Sequence, residues 1–205
     1  GRIDYLANLD KVDKDKISII GICGWGGMAL QTACIDTRIK STVAITMYDM
    51  SRIAGNGYFD SADNEEARYQ VRVSINNQRT LDFKKGTYRL AGGVADPNNL
   101  ELPDFVHQYS VYYKQREYHK RSLNSNNGWA LSAGTSLMNT RLFTYAPEIR
   151  GAVLIVHGEK AHSRYMGEDA FKLLKGDNKE LMIVPNATHT DLYDGGENHD
   201  KIPFD

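Results

Sequence analysis

Cysteine is scarce: Cys23 and Cys34 are the only two in 205 residues. So few thiols exclude a disulfide framework and favour reduced side chains, as in a cytoplasmic protein. The same count also fits an exported chain whose signal has been removed. No secretory signal opens the sequence. Charge of one sign is missing as well, with 25 Lys and Arg against 26 Asp and Glu and a net charge of -1. A chain so balanced has no electrostatic footprint for nucleic acid or an anionic membrane. Its longest apolar runs, such as residues 152–156, fall far short of a bilayer span. Metal-binding spacings are absent: there is no His-x-x-x-His, no Cys-x-x-Cys and no Asp-rich loop. The glycines Gly24, Gly26 and Gly27 have no Lys-Ser/Thr pair after them and no acidic partner at ribose distance. They are therefore neither a phosphate loop nor a dinucleotide site. No metal or cofactor is expected.

What remains is an ordinary globular composition, 41% hydrophobic and 25% charged, on a chain long enough for one substantial core. Residues 17–23 form a continuous apolar run bounded by Lys16 and Gly24, and predict a strand buried on both faces. A helix is predicted over 26–34. Cys23 thus falls where strand hands over to helix. Such a corner puts a side chain at the amino end of a helix, where unpaired N–H groups and partial positive charge stabilise a thiolate or an oxyanion.

Residues 2–8 have helical spacing, with Ile3, Leu6 and Tyr5 as candidate inward positions. A second buried strand is predicted at 42–47. From residue 50 to about 145 aromatic and charged residues interleave, and helices are predicted at 64–83, capped by Asn64, and at 103–118, opened by Pro103. This part reads as an inserted helical layer. Strands return at 152–157 and 180–184 with a helix at 167–174 between them, stopped by Gly176. Alternating strands and helices imply a parallel α/β sheet, and sites in such sheets gather at the carboxyl ends of the strands. Those ends carry Cys23, Asp49, His157 to Glu159, and Asn186 to His189.

Three segments carry a resemblance: Gly21-Ile22-Cys23-Gly24-Trp25-Gly26-Gly27, then His157-Gly158-Glu159-Lys160, then Asn186-Ala187-Thr188-His189-Thr190-Asp191-Leu192-Tyr193. In this order they resemble the nucleophile, acid and histidine segments of the α/β-hydrolase superfamily, specifically its dienelactone-hydrolase-like branch. The resemblance implies a mostly parallel sheet with flanking helices. Residues 1–49 and 146–205 would form the hydrolase core, and 50–145 an inserted helical lid. It also implies a truncated fold, because family members carry further strands ahead of the nucleophile strand, one of whose loops donates an oxyanion N–H. A homo-oligomer or a companion segment is expected to cover the open sheet edge.

Two residues depart from the family pattern. The second position after the nucleophile, normally small, is Trp25; shifting the frame would put Trp25 itself in the nucleophile's place and make a dead site. The acid expected after His157-Gly158 is replaced by Ala161, which leaves Glu159 or Asp49 for that role.

The roles implied are Cys23 as nucleophile, His189 as general base, and Glu159 or Asp49 as the acid that orients the ring. Gly24 would supply an oxyanion N–H, and Trp25, Tyr48 and His162 would line the site. His162 also belongs to a polar string, 160–165, able to meet an anionic group. Tyr109, Tyr112 and Tyr113 are candidates for an apolar pocket or for a layer covering the sheet. Cys34 reads as core and His157 as a locally packed residue; His107, His119 and His199 have no assigned role. The substrate expected is a small ester, thioester or lactone. The other readings are a catalytically inactive binding protein or fragment, and a transferase using the same acyl-enzyme chemistry.

Overall fold

The structure is a computed structural model that describes residues 1–116 and 127–202. It divides into two compact units, residues 1–49 with 142–205, and residues 50–141.

The first unit contains α1 (Arg2–Ala7), β1 (Ser18–Ile22), α2 (Gly24–Ile35), β2 (Ser41–Ile45), β3 (Ala152–Gly158), α7 (Arg164–Leu173), β4 (Lys179–Val184) and α8 (Asp191–Asp194). The four strands are parallel and lie in the order β1-β2-β3-β4. Register runs Ile22 to Ile45, Ile45 to Val156, and Gly158 to Val184, so all four carboxyl ends meet along one rim. Parallel neighbours need crossovers, and α2 and α7 make two of them.

β3 shows why the run 152–156 is apolar throughout. Val153 and Ile155 enter one cluster with Leu30, Ala44, Met47, Phe143 and Ala170. Val156 and the half-buried Leu154 enter another, with Val184, Ala187 and Leu192. Successive side chains point to opposite faces, so only an inner strand needs both to be apolar.

β1 departs from expectation. Gly21 lies under α2 so closely that a Cβ there would stand 2.1 Å from the Trp25 carbonyl oxygen. Ile20 and Ile22, pointing the other way, are 67% and 39% exposed. The strand is buried on one face, the one that α2 covers. Burying an isoleucine is worth about 1.5–3 kcal/mol, so this face is a standing cost. In α1, Ile3 and Leu6 are half-buried, but Tyr5 is 66% exposed and does not point inward.

The second unit contains α3 (Met50–Asn56), α4 (Glu65–Lys85), α5 (Asp104–Val111) and α6 (Ala133–Met138). Its only β pairing among the described residues is one antiparallel bridge, Leu90 to Ala130. α4 has a complete set of end signals. Asn64 Oδ1 accepts from Ala67 N–H at 2.7 Å, Glu65 and Glu66 stand in the first turn, Lys84 and Lys85 in the last, and Gly86 ends it at φ 63°. The helix expected over 103–118 is α-helical only to Val111; Tyr112–Arg116 continue as one π-helical turn, and the remainder lies outside the described residues. A concavity of about 870 Å³ in this unit is lined by Arg79, Asp82, Phe83, Tyr88 and Ser132.

Candidate active site

Cys23 joins β1 to α2 at φ 59°, ψ -132°. That region is costly for a residue with a Cβ and persists only when surrounding contacts over-determine it. Here three backbone bonds do so: Cys23 N–H donates to the Ile45 carbonyl at 3.0 Å, and its own carbonyl accepts Gly26 N–H at 2.9 Å and Tyr48 N–H at 3.1 Å. The corner is tight on both sides. A Cβ on Gly27 would stand 1.9 Å from the Tyr48 carbonyl oxygen, and one on Gly26 3.0 Å from Met47 Cβ. The glycines therefore serve close packing of the helix start on the strand ends. Cys23 is half-buried, and Gly24 follows it as the first helical residue.

Other strand ends on this rim are bent in the same way. Thr46, after β2, has φ 44°, and Asn186, after β4, has φ 57°. A β-branched residue with positive φ is an outlier; Thr46 N–H donates to the Val156 carbonyl at 2.7 Å, which ties it down.

Tyr48 links the elbow to the histidines. Its N–H binds Cys23, and its ring lies 5.0 Å from that of His189 and 5.5 Å from that of His162. The Tyr48 hydroxyl is hydrogen-bonded to His162 Nε2. His162 and His189 are themselves 5.1 Å apart, centroid to centroid. His189 is 1% exposed; its Nδ1 is hydrogen-bonded to Ser163 Oγ at 2.7 Å and its Nε2 to the Tyr193 hydroxyl at 3.1 Å. Burial, then the nearby His162 and His157, hold the His189 ring well below the usual imidazole range. Burial likewise pushes His162 down to about 4. His157 is fully buried beneath α7, where a Cβ on Gly167 would meet its ring at 2.3 Å, and neither ring nitrogen has a hydrogen-bond partner. Burial first, then His162 and Arg164, lower it to about 3.

Cys23, Gly24, Tyr48, His162 and His189 thus all stand on or near the rim formed by the strand ends. The two candidate acids differ in exposure. Glu159 is exposed, and its Oε2 accepts Asn186 N–H at 2.8 Å. Asp49 is half-buried, and its N–H donates to Met166 Sδ at 3.4 Å. Trp25 is 77% exposed and does not pack.

Within 160–165, burial lowers the His162 ring to about 4, and Arg164 pairs with Glu168 at 2.7 Å. Cys34 packs against the main cluster, and burial raises its thiol to about 11, as a core cysteine requires. His107 Nε2 meets the Pro97 carbonyl at 2.9 Å, His199 Nδ1 the Asp194 carbonyl at 2.9 Å, and His119 lies outside the described residues. Among the described residues no three His, Cys, Asp or Glu side chains are placed to hold a metal ion. Among the described residues no helix is long and apolar enough to cross a membrane. Sequence reasoning missed Ser163 and gave Tyr193 no role. A serine between a histidine and an arginine carries no spacing signal, and Tyr193 was visible only as the end of the histidine segment.

No protein-family model matches the chain. It is 40% identical over 204 residues to the uncharacterized protein PA2218 of Pseudomonas aeruginosa, covering 99% of this chain and 54% of the relative. It is 27% identical over 197 residues to the uncharacterized protein YcjY of Escherichia coli, covering 94% of this chain and 62% of YcjY. The chain therefore spans a little over half the length of these relatives. The crystal structure of PA2218 superposes with a TM-score of 0.89 at 39% identity, over 99% of this chain and 62% of that one. The α/β hydrolase GrgF from Penicillium sp. superposes with a TM-score of 0.68 at 16% identity, over 97% of this chain and 64% of GrgF. The parallel sheet, the strained strand-to-helix corner and these superpositions establish the fold of this chain as that of an α/β hydrolase.

Proposed function

We propose that this chain carries the nucleophile and the general base of a hydrolase acting on a carboxylic ester, thioester or lactone, as in the dienelactone-hydrolase-like branch. The observation that carries the proposal is the backbone of Cys23: a non-glycine residue at φ 59°, ψ -132° between a strand and a helix, fixed by three backbone hydrogen bonds. A fold that pays for this conformation at a thiol, at the rim where His189 stands, has the form of a nucleophile elbow. The solved hydrolase of similar fold supports the same reading.

In the proposed reaction the Cys23 sulfur attacks the carbonyl carbon while its proton passes to His189 Nε2, which the Tyr193 hydroxyl must vacate. The oxyanion is met by Gly24 N–H at the start of α2. The tetrahedral centre collapses, the C–O or C–S bond to the leaving group breaks, and that group takes the proton from His189. Water, deprotonated by His189, then attacks the thioester; the C–S bond to Cys23 breaks and the thiol recovers its proton. Tyr48, His162 and Trp25 border the substrate. We place the protein in the cytoplasm, with a companion segment or a second copy covering Ile20 and Ile22. Turnover of p-nitrophenyl acetate tests the chemistry: Cys23→Ala is expected to lower it at least about 100-fold, and equal rates would refute the nucleophile.

One observation favours a non-catalytic binding protein instead. The Tyr193 hydroxyl sits on the nitrogen that must receive the proton. Under that reading Cys23 would not be alkylated by iodoacetamide much faster than Cys34 near neutral pH.

A further inference from the structure

We propose that Ser163 is the positioning residue of His189, standing at Nδ1 where acyl-transfer triads place a carboxylate; the inference rests on the reading of Cys23 and His189 given above. Ser163 Oγ and His189 Nδ1 are 2.7 Å apart, and the two residues are 0% and 1% exposed. No side-chain rotation in water competes with a bond so buried. Ser163 is held in place by the tight path from β3 into α7, in which Ala161 N–H donates to the Gly158 carbonyl, Arg164 N–H to the Ala161 carbonyl and Met166 N–H to the Ser163 carbonyl.

The second nitrogen fixes the direction of the bond. A phenol is a stronger hydrogen-bond acid than an aliphatic alcohol, so the Tyr193 hydroxyl donates to Nε2. The ring proton then sits on Nδ1 and is donated to Ser163 Oγ. This tautomer presents a lone pair on Nε2, the form a thiol proton requires. The groups facing the ring are Tyr48 from the loop after β2, His162 from the loop before α7, His157 from β3, and Tyr193 from α8. On that same segment the Asp191 carboxylate accepts Thr188 N–H. A serine oxygen orients the ring as a carboxylate would, but it does not stabilise the imidazolium. The base is therefore neutral at rest, and the thiol gives up its proton only as the C–S bond forms.

The test uses the full chain. Two-bond proton–nitrogen NMR correlations report the tautomer and titration of His189, and p-nitrophenyl acetate turnover is followed against pH in parallel. Native protein is expected to show a protonated Nδ1 and a bare Nε2 near neutral pH. Ser163→Ala should lose this single tautomer and lower kcat/KM by about 10- to 100-fold. Ser163→Asp should raise the His189 titration, and with it the acidic limb of the rate profile, by about one pH unit or more. A native tautomer retained in Ser163→Ala would overturn the proposal, as would an unmoved His189 titration in Ser163→Asp. Should the aspartate variant fail to fold, the alanine spectrum decides alone. Undiminished turnover in Cys23→Ala would reject the nucleophile instead, and the tautomer result would still stand or fall by itself.

Discussion

Cys23 occupies a conformation that costs an L residue about 1–3 kcal/mol. Glycine has no such penalty, since it adopts positive φ freely. Elsewhere in a strand or helix, glycine is the less stable choice by roughly 0.5–1 kcal/mol relative to alanine. At residue 23 the order should invert: Cys23→Gly is expected to be at least as stable as Cys23→Ala in urea unfolding. An alanine variant clearly more stable than the glycine variant would mean that the corner is not strained. The position of this residue was legible in the sequence, because the apolar run ends at Ile22 and the glycines begin at Gly24. The partners of His189 were not. Orienting groups were sought among carboxylates, and a buried serine on a neighbouring loop leaves no mark in spacing or composition.

At the scale of elements, two kinds of signal behaved differently. Local signals were read directly. The Asn64 cap, the acidic first turn and the Gly86 stop of α4 all depend on residues within one turn of each other. Asn64→Ala removes the acceptor for Ala67 N–H and should destabilise the protein by about 1 kcal/mol, measured by thermal or urea unfolding. A change near zero would show that the cap bond is not formed in solution. Burial, in contrast, depends on neighbours distant in sequence. Residues 17–23 and residues 152–157 both read as buried strands, yet β3 is covered on two faces and β1 on one. A strand's own residues do not state its place in the sheet order. The π-helical turn at Tyr112–Arg116 was equally invisible, since it continues the helix before it without a Gly or Pro break.

For the whole molecule, the buried histidines predict how stability responds to acid. His157 has its ionisation lowered from 6.5 to about 3 by burial in the fold, and His189 is lowered as well. Unfolded, both rings bind a proton near pH 6.5; folded, they do so only in much stronger acid. The unfolded chain therefore holds more protons between about pH 3 and 6.5, and stability falls as pH drops through that window. His157 alone contributes on the order of a few kcal/mol across it. His157→Leu removes the titrating ring, along with two nitrogens that have no partner, and is expected to flatten the slope of unfolding free energy against pH. A slope equal to native would mean that His157 is solvated in the folded protein. The fold class and its parallel sheet were readable from the chain, because each rests on the period and order of short segments. Which nitrogen of which histidine meets which hydroxyl was not, because that is set by packing across four strands.

The nucleophile elbow at Cys23 is the claim on which the chemistry depends, and trapping the acyl group tests it most directly. The chain is mixed with p-nitrophenyl acetate, quenched in acid within the first turnovers, digested and mapped by mass. The account predicts one acetyl group, carried by Cys23 and absent from Cys34, and none at that position in Cys23→Ala. An acetyl group on another residue, with nitrophenolate release unchanged in Cys23→Ala, would contradict it.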